Sequence, residues 1–220
     1  MRSQFRPVIP DILYFHADGG GEHASVYLIT GDTETVLVDP SIEPSRLPEG
    51  KEPTKLLLTH AHADHFWAVD RFREDVDLPL YVHSGDEAQL IDPMTNGTVF
   101  FGQDFTPKPA SHIISDLDLI SVGDSLELLT IHTPGHTKGC CCFLLRETKG
   151  QTSLALITGD TLFRSSMGRT DLPSGSPLEM EHSLAKLRVL LTELPTDLPI
   201  LPGHGPLTTP ERELKYNPFL

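Results

Sequence analysis

Short apolar runs, each closed by turn residues, set the pattern of the chain. Val26–Ile29 and Thr35–Val38 flank Gly31-Asp32, a hairpin signal. Lys55–Leu58 reads as a short buried strand. Leu80–Val82, Leu117–Val122, Leu126–Ile131, Cys140–Leu145, Leu154–Ile157 and Ile200–Leu201 are further strand candidates, and together they fall into two sets. Helix signals lie between them. Ser176-Pro177-Leu178-Glu179 combines a capping serine, a proline at the first helical position and a glutamate at the third. The helix it opens carries Leu184, Leu187, Leu191 and Leu194 at three- and four-residue spacing, an apolar stripe for packing on a sheet. Ser84-Gly85-Asp86-Glu87 resembles a second capping box opening a short helix. Phe66–Arg73 and Pro210–Tyr216 are further helix candidates, and the Pro-, Gly- and Phe-rich stretch Asp92–Ala110 reads as a long loop.

Strands mixed with helices predict a layered α/β domain with the helices outside. The 17 glycines and 19 prolines follow no period, which favours short elements over a helical bundle. At 220 residues the chain can bury a large core, and it is read as one domain over residues 1–220. The three cysteines, Cys140, Cys141 and Cys142, form no disulfide framework. They read as small buried residues on one strand; a thiolate metal site is the weaker reading, because neighbouring strand positions face opposite ways. The formal net charge of −14 disfavours nucleic acid and anionic lipid as partners. No run has the ~18 apolar residues of a membrane span. Arg2 and Arg6 precede Pro7, Pro10 and Asp11 rather than the apolar core of a signal peptide, so the expected location is the cytoplasm.

The chemistry concentrates in His60-Ala61-His62-Ala63-Asp64-His65, directly after the Lys55–Leu58 run. Residues two apart on an extended segment share a face, so His60, His62 and Asp64 can converge while His65 turns away toward a second ion. Imidazole and carboxylate donors suit zinc, iron or manganese. Three later sites repeat one arrangement: an apolar strand, a glycine turn, then a donor. They end in Gly135-His136, Gly159-Asp160 and Gly203-His204. Glycine lets backbone approach a bound group, and loops beyond strand ends are where α/β proteins collect ligands. His16, His23, His83, His112, His132 and His182 lack that context and read as ordinary surface or core residues, with His23 and His132 near enough in pattern to line a pocket.

His-x-His-x-Asp-His followed by Gly-His, Gly-Asp and Gly-His resembles the metallo-β-lactamase superfamily over nearly the whole chain. Thr158-Gly159-Asp160-Thr161-Leu162-Phe163 is similar to the matching stretch of glyoxalase II, the hydroxyacylglutathione hydrolases. Gly168-Arg169-Thr170-Asp171 and Asn217-Pro218-Phe219-Leu220 look like that enzyme's shorter, single-domain relatives. The resemblance implies a four-layer αββα sandwich with two divalent metal ions at one edge, zinc foremost, iron or manganese otherwise. It places His60, His62 and His136 on the first ion, Asp64, His65 and His204 on the second, and Asp160 between them. A metal-bridging hydroxide would attack a small thioester such as S-lactoylglutathione, with Asp64 helping to place it. Arg169 and Lys138 are the candidate contacts for substrate carboxylates. In the family, an aromatic residue two positions after the basic one contacts glutathione, but here that position is Asp171. Only 16 residues follow His204, so the glutathione-binding helical domain of full-length glyoxalase II is expected to be missing. Two alternatives share these motifs. One is a persulfide dioxygenase with a single iron on His60, His136 and Asp160. The other is a non-catalytic metal-binding protein on the same fold.

Overall fold

The computed structural model describes residues 5–15, 23–101 and 105–220. Arg2 and His16 lie outside them. In chain order the strands are β1 (Arg6–Ile9), β2 (Ile12–Phe15), β3 (Val26–Thr30), β4 (Thr35–Val38) and β5 (Lys55–Leu57). The helix α1 (Ala63–Phe66) and a 3₁₀ turn (Val69–Arg73) follow, then β6 (Leu80–His83), α2 (Glu87–Leu90) and β7 (His112–Ile114). The second half contains β8 (Leu119–Val122), β9 (Leu126–His132), β10 (Cys141–Glu147), β11 (Ser153–Gly159), the short hairpin β12 (Leu162–Phe163) and β13 (Ser166–Met167), α3 (Pro177–Glu193), β14 (Ile200–Pro202) and α4 (Pro210–Tyr216).

β1 to β7 form one sheet in sequence order, antiparallel as far as β4 and parallel beyond it. The second sheet runs β14-β11-β10-β9-β8, with only β14 and β11 parallel. Alternation within each strand distributes side chains between three apolar layers. Tyr27, Ile29, Val36, Val38 and Leu57 meet Val122, Leu128, Phe143, Ile157 and Leu201 between the sheets. Val26, Leu28, Leu37 and Leu56 face outward onto Phe66, Val69 and Leu90. Cys142, Leu144 and Leu156 face outward onto Met180, Leu184, Leu187 and Leu191 of α3. The result is the four-layer αββα sandwich. All three cysteines are buried, Cys141 in the inter-sheet layer and Cys142 under α3.

The departures from the sequence reading have local causes. The helix expected over Phe66–Arg73 starts earlier and breaks at once. Ala68 N–H donates to Pro40 O at 3.0 Å, while Asp64 O accepts from Ala24 N at 3.0 Å, so both halves of that helical bond are used elsewhere. The expected cap at Ser84 is not made; α2 starts at Glu87, and Asp86, its preceding residue, makes no side-chain cap bond. β8 begins only at Leu119 because Leu117 adopts a positive φ of 69°. The cap at Ser176 forms as expected, its hydroxyl accepting from Glu179 N at 3.3 Å. No helix among the described residues is long and apolar enough to cross a membrane.

The stripe on α3 allows a direct check of this layer. Leu187 is fully buried against the second sheet while Val189 is 62% exposed. Leu187→Ala should cost ~2–5 kcal/mol by urea denaturation, because a cavity is left in a packed layer. Val189→Ala should stay within ~0.5 kcal/mol. Equal effects would mean that α3 is not seated as described.

Candidate metal centre

Strand direction brings the candidate donors to one place. β4 and β5 are parallel, as are β11 and β14, and β9 runs with β11 because each is antiparallel to β10. The loops leaving β5, β9, β11 and β14 carry His60 and His62, His136, Asp160 and His204, and α1 carries Asp64 and His65. All seven residues meet at one end of the sandwich. His62 Nδ1 lies 3.1 Å from His60 Nε2 and 2.9 Å from His136 Nε2. His204 Nε2 lies 3.0 Å from Asp64 Oδ2, and His65 Nε2 lies 3.8 Å from it. Asp160 Oδ2 is 3.5 Å from both His136 Nε2 and His204 Nε2, one residue of each group. Glycines permit the approach. A side chain at Gly203 would run into Asp160 Oδ1 and the His65 ring, and Gly159 adopts a φ of +46° against Thr59.

The cluster fits cations. His60, His62 and His136 can converge on one ion and Asp64, His65 and His204 on another, the donor atoms of each trio lying within 4.8 Å of one another. His136 donates Nδ1–H to Arg169 O at 2.8 Å, and His65 donates Nδ1–H to Asp39 Oδ2 at 2.8 Å. Each therefore turns its Nε2 toward the centre. His65 Nε2 and Asp160 Oδ1 sit 3.3 Å apart, but both are buried without a hydrogen-bond partner, a condition that costs ~1–3 kcal/mol per group. Burial, reinforced by His65 and His136, holds the His60 imidazole well below its usual range, and burial with His136 pushes His62 down to about 3. Both are thus neutral donors. His65 is pushed the other way: burial disfavours its charge, but Asp39, Asp160 and Asp64 outweigh that. For Asp160 burial would raise the carboxyl, yet His65 and the other histidines hold it low.

Two carboxylates not singled out from the sequence brace these donors. Asp39, fully buried at the end of β4, accepts from Thr59 N at 2.8 Å and Thr59 Oγ1 at 2.9 Å besides His65. Asp86, also fully buried, accepts from Ala61 N at 2.8 Å, Thr137 Oγ1 at 2.7 Å and Gly139 N at 2.7 Å. It joins the loop of His60 and His62 to the loop of His136, which explains why it does not cap α2. Asp39 could have been found, since it follows an apolar strand as the other donors do; only the glycine is missing. Asp86 carried no such signal.

A cavity of about 720 Å³ opens onto the centre. His62, Asp64, His136, Asp160 and His204 form its floor, and Phe100, Phe163, Met167, Leu172 and Pro173 give it apolar walls. Arg169 reaches its rim, but Nε and Nη2 bind both oxygens of Asp171, at 2.6 and 2.8 Å. Lys138 is exposed on the loop after His136 and does not line the cavity. Neither do His23 and His132; His132 instead stacks on His83 at 4.0 Å between ring centroids.

Comparison with known proteins agrees with this geometry. The family model described as the metallo-beta-lactamase superfamily matches residues 19–204. The chain is 34% identical over 207 residues to the probable metallo-hydrolase YqgX of Bacillus subtilis, covering 91% of this chain and 94% of that one. It is 29% identical over 196 residues to the hydroxyacylglutathione hydrolase GloC of Haemophilus influenzae, covering 86% and 88%. The solved structure of TTHA1623 in a di-iron-bound form superposes with a TM-score of 0.75 at 34% identity, covering 94% of this chain and all of that chain.

Removing the brace on His65 should loosen the centre before it harms the fold. Asp39→Ala is expected to weaken metal retention ~10–100-fold in chelator competition, the usual effect of losing a carboxylate behind a histidine ligand. Retention equal to the parent's would show that Asp39 does not orient His65.

Proposed function

This chain belongs to the metallo-beta-lactamase superfamily and is a metallo-hydrolase of that fold, and from that membership we propose that it hydrolyses small thioesters at a two-ion centre. One observation carries the reading: seven buried or half-buried donors form two groups, and the Asp160 carboxylate reaches both. His60, His62 and His136 would hold one ion, Asp64, His65 and His204 the second, with Asp160 shared. Zinc is the foremost candidate, with iron and manganese behind it. When bound, divalent ions lower the pKa of water toward neutrality and polarise a carbonyl, which is the chemistry acyl hydrolysis needs.

The chain's own residues supply the rest. Asp64 borders the cavity and can hold a water proton, while its other contacts, His204 and His65, fix the carboxylate in place. Phe163, Met167 and Leu172 exclude water from the reacting group and receive its apolar part. The likeness to a hydroxyacylglutathione hydrolase supports a thioester among the superfamily's substrates. Arg169 is the cation at the rim, and its bidentate pairing with Asp171 leaves little for the carboxylates of glutathione. The net charge of −14 disfavours nucleic acid as a substrate.

Two measurements test the reading. Elemental analysis at saturation should give two ions per chain, because seven donors exceed what one tetrahedral ion can use. Saturation at one ion would count against the hydrolase and toward a mononuclear dioxygenase, which oxygen consumption with glutathione persulfide would then reveal. Steady-state kinetics should show modest hydrolysis of S-lactoylglutathione, with comparable rates on a short thioester lacking the tripeptide. A preference of about a thousandfold for the glutathione substrate, ~4 kcal/mol in transition-state binding, would mean a dedicated glutathione site.

A further inference from the structure

One wall of the cavity is structurally weak by itself. β12 and β13 share only two residue pairs, Leu162 with Met167 and Phe163 with Ser166, around a turn in which Ser165 adopts a φ of +58°. Such a hairpin does not hold its shape alone. Yet Phe163, Ser166 and Met167 all line the cavity, and the Phe163 ring stands edge-on to His204 at 6.0 Å. The wall is held from behind by α4. Asn217, at the end of that helix, donates its side-chain amide to Ser166 O at 3.0 Å, Phe163 O at 3.3 Å and Glu213 Oε2 at 2.9 Å. Glu213, one turn earlier and fully buried, also accepts from Ser165 N at 2.7 Å and from the Thr208 hydroxyl. Asn217 Oδ1 accepts in turn from Phe219 N at 3.0 Å. The carboxylate and the amide thus grip both strands and the turn of the hairpin. They also give a physical reason for the Asn217-Pro218-Phe219-Leu220 stretch, which no part of the metal centre uses.

We propose that Asn217, backed by Glu213, is a positioning residue that sets the substrate-facing wall of the cavity, acting through Phe163 and Met167 without touching the reacting atoms. Its kinetic consequence rests on the thioesterase reading; the clamp itself does not. Losing it frees the wall at Phe163 and Met167 but removes no donor of the metal centre and no bond to one, so substrate fit suffers more than the chemical step.

The test uses the metal-loaded enzyme and Asn217→Asp. This variant keeps the size of the side chain but sets a carboxylate against two carbonyl oxygens and Glu213. Hydrogen–deuterium exchange of peptides spanning 162–169 should accelerate about tenfold, as expected for losing hydrogen bonds of ordinary strength, while 177–193 stays protected. KM for S-lactoylglutathione, or for the short thioester, should rise about tenfold with kcat within about twofold, the mark of lost uniform binding. In a Phe163→Ala background the same substitution should raise KM distinctly less, because the two act on one wall. Exchange unchanged from the parent, or a KM effect undiminished in the Phe163→Ala background, overturns the proposal. Faster exchange in a chain that hydrolyses no thioester upholds the clamp and refutes the thioesterase reading alone. Should Asn217→Asp fail to fold, Asn217→Ser keeps one short donor and should show the same pattern at smaller size.

Discussion

Histidines and carboxylates crowded into a place that water barely reaches are under electrostatic tension, and the end of this sandwich is organised around relieving it. His60 and His62 are driven toward the neutral form by burial and by one another, while Asp160 is held ionised by the histidines beside it. Ring nitrogens and negative charge therefore point at common centres, an arrangement that suits cations among them. The glycine turns, the parallel pairing of β4 with β5 and of β11 with β14, and the buried braces Asp39 and Asp86 all serve to hold that crowding in place.

The two sides of the site are built differently. The donor side grows from strand ends tied across the sandwich, as where Tyr27 OH on β3 bonds Pro202 O on β14 at 2.6 Å, or Ser25 N meets Gly203 O at 2.7 Å. The cavity side is made of loops and one minimal hairpin. Members of a family with such a division can keep the chemistry and exchange the walls. Arg169 and Asp171 sit on the exchangeable side.

Legibility in the sequence followed the same division. Where placement depends on neighbours along the chain, much of it could be read: His60, His62, the Gly-donor turns and the cap of α3 lie where expected, but a helix begins at Ala63, so Asp64 groups with His65 and His204 and not with His60 and His62. Where a role depends on residues far apart, it could not. Asp86 gathers donors from positions 61, 137 and 139, and nothing around Asp86 announces them. Asn217 was visible as part of a motif but its purpose was not, since the carbonyls it binds are more than fifty positions away. β1 and β2 escaped notice because Pro7 and Pro10 break the apolar pattern; β1 is an edge strand, where proline is tolerated. The early end of α1 likewise follows from Pro40 and Ala24, not from the helix's own residues.

The three cysteines have a practical consequence. Burial holds all their thiols in the unreactive protonated form, Cys142 at about 11. Cys141 and Cys142 are adjacent in sequence but occupy different layers, one between the sheets and one beneath α3. Alkylation of Cys142 thus records the lifting of a helix, and alkylation of Cys141 the parting of the two sheets. Two neighbouring residues serve as separate clocks for how the sandwich comes apart.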